Sequence, residues 1–333
     1  MAEGSPDNKP YHMDEVCKGL FLGSRDAVLT LKGQHDLLKH SITHVLSIEW
    51  SKPDISALNL NHKFVYINDM PSADILSHFE ECIAFIDEVL TSSGNILVHC
   101  MMGISRSSTI VIAYLMHRDK ITFQKAFDLV KEKHPRTEPN DGFVDMLCLF
   151  EAMGCQFSSS HPLYRQHRLG QIAPDIQAGS QVPEEFIAAD PAQESASTEA
   201  QTVYKCRKCR RAVFFQSMVL AHITGKGQTS FSWHKQMHPL AVTTSPSSTM
   251  DSSISCTSLF VEPVKWMEPL LVGCLEGKLC CPKCSSRLGS FNWSGLQCSC
   301  GAWVTPAFQI HQNRVDKSIR RQIVQSNHQH EDV

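Results

Sequence analysis

The chain has 333 residues, 42% of them hydrophobic and 20% charged, with a formal net charge of −3. These are globular proportions and exclude a wholly disordered, collagen-like or coiled-coil chain; at about 150 residues per domain the length suggests two domains. So small a net charge gives no global field for bulk binding to nucleic acid or to an acidic membrane.

No apolar run reaches the roughly 18 residues needed to cross a bilayer. The polar start, Met1 to Pro10, lacks the apolar stretch of a signal peptide. The expectation is an intracellular protein with no membrane partner, whose 14 cysteines are thiols or metal ligands rather than disulfides. Five cysteines fall between Cys17 and Cys155, and nine between Cys206 and Cys300.

In chain order, residues 11–157 alternate between strand-like and helix-like runs. Gly19 to Gly23, His44 to Ile48, Phe64 to Ile67 and Asn95 to His99 are short, apolar and rich in β-branched or aromatic residues. Ile75, Phe79, Cys82, Ile83, Ile86, Val89 and Leu90 recur at helical spacing. Phe123, Ala126, Phe127 and Val130 do so until His134-Pro135 stops the helix, and Phe143, Leu147 and Phe150 follow after Asn140. Alternating strands and helices predict an α/β layered domain. Periodicity then fades. Residues 158–203, rich in Gln, Ser, Ala, Pro and Glu, are expected to be a linker. Cysteines and aromatics cluster over 204–316, with a Ser/Thr-rich loop at Thr243 to Ser255, and 317–333 is a polar tail.

The most informative stretch is His99-Cys100-Met101-Met102-Gly103-Ile104-Ser105-Arg106-Ser107-Ser108, between the strand Ile96 to Val98 and a helix-forming run ending at Met116. A loop between a strand and a helix start points backbone N–H groups at one spot, where the helix dipole also favours an anion. The residues Met101, Met102, Gly103, Ile104 and Ser105 suffice to wrap an oxyanion, and Arg106 can fork onto two of its oxygens. The same environment favours a thiolate at Cys100, a good nucleophile for phosphorus. Gly103 permits a tight backbone approach. Ser107 can hydrogen-bond the sulfur and help it leave.

HCMMGISRS resembles the HCxxGxxRS signature of the cysteine-dependent protein tyrosine phosphatases, in their dual-specificity branch. That resemblance implies a central mixed sheet flanked by helices and a catalytic set of Cys100, Arg106, Asp69 and Ser107. Asp69, 31 residues before Cys100 in Asn68-Asp69-Met70-Pro71, matches the family's general acid; Asp74 is the alternative, although it reads as a helix-start residue before Ile75. By the same resemblance His99 holds Cys100 in place, and no metal takes part in catalysis. Met101, Met102, Ile104 and Ser105 bear no charge, which favours a singly phosphorylated protein side chain over polyphosphates. A shallow site accepting phosphotyrosine and phosphoserine/threonine is what the family implies.

Cys206-Arg207-Lys208-Cys209 and Cys281-Pro282-Lys283-Cys284 are C-x₂-C knuckles, and Cys298-Ser299-Cys300 is a C-x-C pair 14 residues after Cys284. Two short pairs around a hairpin-length spacer meet the needs of a tetrahedral Zn²⁺ site. The spacing therefore predicts one site from Cys281, Cys284, Cys298 and Cys300. Cys206 and Cys209 need two further ligands, for which His222 and Cys256 are expected. His234 is the alternative to His222, and His238, Cys274 and Cys280 complete the candidates. Trp266, Phe291, Trp293, Trp303 and Phe308 are expected to build a small core around two structural ions, whose binding supplies folding free energy.

The combination of this loop with YKCRKCRR, VEPVKWM, CPKCSSRLGSFNW and CSCGAWVTPAFQIHQNRVD is similar to the dual-specificity branch with a C-terminal zinc-binding domain, over nearly all of residues 11–316. Met101-Met102 depart from the smaller or polar residues usual there. The resemblance implies a small zinc-stabilised β-rich domain, phosphoprotein substrates and a place in nucleus and cytoplasm. It also implies large ribosomal subunit particles as partners through the zinc domain, with catalysis dispensable for that role. No sequence-specific nucleic-acid binding is expected.

Overall fold

In the computed structural model, which describes residues 13–193, 201–222 and 256–320, five strands make the first sheet: β1 (Met13–Cys17), β2 (Leu20–Ser24), β3 (His44–Glu49), β4 (Asn61–Tyr66) and β5 (Ile96–Cys100). Their order is β1-β2-β5-β3-β4. β1 pairs antiparallel with β2 and every other pairing is parallel, so the sheet is mixed. β2 and β5 are buried along their whole length. That explains their continuous apolar runs, since parallel strands covered on both faces lose the polar alternation.

Six helices accompany the sheet: α1 (Asp26–Leu29), α2 (Leu31–Lys39), α3 (Phe79–Thr91), α4 (Arg106–Asp119), α5 (Phe123–Lys133) and α6 (Asp141–Ala152). α4 is buried from Arg106 through Met116 and packs against α3, α5, α6 and β5. Its apolar residues run all round, as a central helix requires. α5 and α6 start on side-chain caps, Thr122 Oγ1 accepting from Lys125 N and Asn140 Oδ1 from Phe143 N. Asp74 is also a local cap, its Oδ1 accepting from Ser77 N at 3.2 Å.

The chain divides into two units, 1–159 and 160–333. The expected linker at 158–203 is corrected by this division. Pro162–Gln177 is a helix, α7, and its Leu169, Ala173 and Ile176 belong to the core of the second unit. Asp190 is buried there too, paired with Arg211 at 2.6 Å. The helix carries little local signal because its apolar positions are sparse and Pro174 interrupts them; most of the core that buries them lies beyond residue 202. Residues 194–200 of that stretch, and Thr243 to Ser255, lie outside the described residues.

The second unit is built on antiparallel pairing. β6 (Gln201–Cys206), β7 (Ala212–Phe215), β8 (Val219–Leu220) and β9 (Ser258–Val261) come first. After the one-turn helix α8 (Glu268–Leu271) come β10 (Glu276–Cys280), β11 (Arg287–Asn292), β12 (Leu296–Gln297), β13 (Trp303–Val304), β14 (Ala307–His311) and β15 (Val315–Arg320). They form sheets ordered β10-β11-β14-β9-β8 and β15-β6-β7, plus the β12-β13 ladder. The tail expected from 317 in fact begins as β15, whose Arg320 pairs with Gln201. Trp266, Phe291, Trp293 and Phe308 are buried as expected. Trp303 is not: it is 62% exposed, on the short β12-β13 ladder.

Phe79 and Phe150 meet edge to face, 5.0 Å between centroids, and join α3 to α6 in full burial. Phe150→Ala is expected to cost the first unit about 3–5 kcal/mol, read as a lowered midpoint of urea unfolding.

Candidate active site and metal centres

Cys100 ends β5 and is 1% exposed. The chain then turns through Met101 to Ser105 into α4, which begins at Arg106. Gly103 takes φ +72°, and a Cβ there would stand 2.7 Å from the Gly23 carbonyl oxygen on β2; only glycine meets both conditions. The turn aims the Gly103 N–H at the Cys100 Sγ, 3.3 Å away, and the Ser107 hydroxyl donates to the same sulfur at 3.2 Å. Both donors converge on that one sulfur. Met101 and Met102 are exposed, Ile104 is half-buried, and Gly103 and Ser105 are buried.

Arg106 is buried, with its Nη1 donating to Ile67 O at 3.3 Å and its Nε 3.5 Å from Asp69 Oδ2. The parallel pairing of β3 with both β4 and β5 therefore brings Asp69, just beyond β4, to the loop that follows β5. Asp69 Oδ1 accepts from Ser105 Oγ at 2.7 Å and from Asn140 Nδ2 at 2.8 Å. Oδ2 faces Arg106 Nε.

His99 is fully buried, its Nε2 2.7 Å from Ser47 Oγ and its Nδ1 3.4 Å from Cys100 O. Burial pushes its pKa down to about 3, so the ring is neutral and braces the strand beneath the nucleophile. Glu49, also fully buried, lies 3.5 Å from Arg25 Nη1 and 3.6 Å from His99 Nδ1. Burial raises its carboxyl above the usual carboxylate range, against the opposing pull of Arg25 and Arg106.

Asn140 was not foreseen as part of this site. Its cap signature before Asp141 is legible, but nothing local says that the same amide reaches Asp69, 71 residues away. Glu49 and Arg25 were missed because neither belongs to a motif.

Among the described residues, two groups of side chains could hold a metal ion: Cys206, Cys209, Cys281 and Cys284, and His222, Cys256, Cys298 and Cys300. Within each, the ligand atoms lie within 4.8 Å of one another. All eight expected ligands are gathered, but the expected pairing is corrected. Cys281 and Cys284 face Cys206 and Cys209, not Cys298 and Cys300.

The two C-x₂-C turns are copies of one another. In each, the residue after the second cysteine is left-handed, Arg210 at φ 64° and Ser285 at φ 56°. That residue's N–H returns to the first cysteine's carbonyl at 2.8 Å in both turns. Such matching turns close on each other, leaving the tighter C-x-C pair to His222 and Cys256. The sulfur separations are 3.5 Å for Cys209–Cys281 and 3.8 Å for Cys206–Cys284. His222 Nε2 stands 3.6 Å from Cys256 Sγ and 3.4 Å from Cys300 Sγ. Burial pushes the Cys256 and Cys281 thiols up to about 12 and lowers His222; a cation among them reverses the preference of the thiols. The alternatives His234 and His238 lie outside the described residues.

The family described as "Dual specificity phosphatase, catalytic domain" matches residues 20–153. The chain is 42% identical over 317 residues to dual specificity protein phosphatase 12 of Mus musculus, covering 94% of this chain and 91% of that one. It is 31% identical over 350 residues to tyrosine-protein phosphatase YVH1 of Saccharomyces cerevisiae, covering 94% of each. A solved structure, the Yvh1 phosphatase domain from Chaetomium thermophilum, is 30% identical over 44% of this chain and 99% of its own, with a TM-score of 0.40.

Metal content separates the two possible ligand pairings. Cys206→Ser combined with Cys281→Ser removes two ligands from one centre, so the purified chain should retain one ion instead of two. Cys281→Ser combined with Cys298→Ser strikes both centres and should retain none. Elemental analysis of the two proteins checks this, and equal content in both would contradict the assignment.

Proposed function

Because the chain belongs to the dual specificity protein phosphatase family, we propose that it hydrolyses phosphotyrosine and phosphoserine/threonine in proteins through a phosphocysteine intermediate. The observation that carries this reading is the buried Cys100 sulfur receiving N–H and O–H bonds from Gly103 and Ser107, with Asp69 and Arg106 beside it. In the first step Cys100 Sγ attacks phosphorus and the bond to the ester oxygen breaks. Arg106 and the loop amides hold the three equatorial oxygens as charge develops, and Asp69 Oδ2 gives its proton to the leaving oxygen. In the second step water attacks phosphorus, Asp69 takes the proton from that water, and the S–P bond breaks onto a sulfur stabilised by the Ser107 hydroxyl. Arg106 engages Asp69 at rest; drawing it onto a phosphate dianion frees Oδ2 for its role as acid.

The metal is read as structural Zn²⁺. Zn–S bonds of about 2.3 Å and Zn–N bonds of about 2.0–2.1 Å set tetrahedral edges of about 3.8 Å between sulfurs and about 3.6 Å between nitrogen and sulfur. The separations of 3.5 and 3.8 Å in the all-thiolate set, and of 3.4 and 3.6 Å around His222, fit those edges.

A second role, docking on large ribosomal subunit particles through the metal-binding unit, is favoured by one observation. That unit has its own continuous core and both ligand sets, and it supplies none of the residues placed around Cys100.

Cys100→Ser should abolish turnover of phosphopeptides, and Asp69→Asn should lower kcat by roughly 10²- to 10⁴-fold. The deficit should shrink for aryl phosphates whose leaving group needs no proton. Steady-state kinetics over leaving groups of graded acidity check both, and an Asp69→Asn deficit that ignores the leaving group would remove Asp69 from the role of acid.

In cells lacking the endogenous protein, Cys100→Ser should restore large-subunit assembly if the metal unit acts alone, whereas Cys281→Ser should not. Sedimentation profiles of ribosomal particles check this. Failure of Cys100→Ser to restore assembly would tie the second role to catalysis.

A further inference from the structure

The segment joining α5 to α6, residues 134–140, runs beside the phosphate loop and touches three of its residues in succession. His134 Nε2 lies 2.8 Å from Gly103 O. The Glu138 amide donates to Ile104 O at 2.9 Å, and the Asn140 amide donates to Ser105 Oγ at 3.2 Å. The first contact is the buried one, since His134 is 1% exposed. Its other ring nitrogen, Nδ1, is 2.6 Å from Asp14 Oδ2 on β1.

The chemistry of these contacts fixes where the protons lie. A carbonyl oxygen can only accept, so Nε2 holds a proton. Nδ1 lies 2.6 Å from Asp14 Oδ2, so Asp14 holds the buried ring in the orientation that grips the loop. The gripped residue is the one whose own N–H points at the nucleophile, held at a backbone angle that leaves it no side chain to anchor by.

We propose that the Asp14–His134 pair is a positioning device for the nucleophile: it fastens the Gly103 carbonyl so that the Gly103 amide stays aimed at the Cys100 sulfur. The device rests on the phosphatase reading above, but it acts on the sulfur before any substrate is bound. Neither residue touches substrate or the reacting atoms. His134, the stop signal of α5 in the sequence, thus has a second use that its local context does not announce.

The test uses the full chain and two readouts: the pH profile of Cys100 alkylation by iodoacetamide, which needs no phosphatase chemistry, and kcat and KM for p-nitrophenyl phosphate. His134→Leu removes both contacts. It should move the alkylation midpoint to higher pH and lower kcat on the order of 10- to 100-fold, as a misplaced group in a preorganised site does, with a smaller change in KM. His134→Gln keeps an amide donor near the position of Nε2 and should recover most of both. Asp14→Asn, at a site 34% exposed, should move alkylation in the same direction by less. A folded His134→Leu protein with the parental alkylation profile and kcat overturns the proposal, as does a His134→Gln protein as impaired as His134→Leu. Should His134→Leu fail to fold, a parental alkylation profile in Asp14→Asn overturns it instead. If Cys100→Ser retained turnover, the phosphatase reading would fall while the alkylation comparison still judged the clamp.

Discussion

A sulfur atom shut away from water and met by an amide N–H and a hydroxyl is the constraint around which the first unit is arranged. Left alone in an apolar interior, a thiol stays protonated and inert. The two donors reach it at 3.2 and 3.3 Å only while the turn between β5 and α4 holds its shape. That need accounts for features otherwise unrelated: a helix buried on every side, a glycine pressed against the β2 backbone, and a neutral histidine bracing the strand below. Such a convergence of donors does not come from cysteine chemistry alone. It requires a scaffold rigid enough that dipoles cannot swing away from it.

The same rigidity sets up an exchange between Arg106 and Asp69. The guanidinium rests against an Asp69 oxygen and the Ile67 carbonyl, both displaceable by a better anion. The other Asp69 oxygen is held by Ser105 and Asn140, which belong to the loop and to the cap of α6. One carboxylate is thus hydrogen-bonded through one oxygen and faces a guanidinium with the other, the arrangement that the proposed arginine-to-phosphate exchange needs. Ser105, unremarked at first except as an uncharged loop member, is the hinge of this arrangement because it bonds Asp69 and Asn140 together.

What was legible in the sequence was local. The strand, the loop and the helix around Cys100 lie within about twenty consecutive residues, so their spacing carries the geometry with it; the α5 stop at His134 was legible for the same reason, whereas β1 and the first three residues of β4 were not. Interactions closed over long separations were not legible. Asn140 to Asp69, His134 to Asp14 and the facing of the two cysteine turns each depend on which strands become neighbours. The helix Pro162–Gln177 shows the converse failure: its polarity is real, yet a few apolar residues suffice once another part of the chain supplies the surface to bury them. Trp303 was drawn inward by its residue type, though a two-residue ladder offers no interior to receive it.

The corrected ligand pairing changes what kind of object the second unit is. Had the ligands closed in serial order, residues 281–300 would form a self-sufficient finger, detachable from the rest. Instead the order along the chain is first set, second set, first set, second set, so each ligand set spans a stretch that contains half of the other. Joining Cys206 and Cys209 to Cys281 and Cys284 closes loops of more than seventy residues, and loop-closure entropy rises only slowly with that length. Long closures therefore cost little more than short ones, and their interleaving ties both ligand sets into one core. The continuous core running from Leu169 through Phe214 and Trp293 to Val315 is the packing counterpart of that topology. Each ligand set thereby fastens strands that flank half of the other.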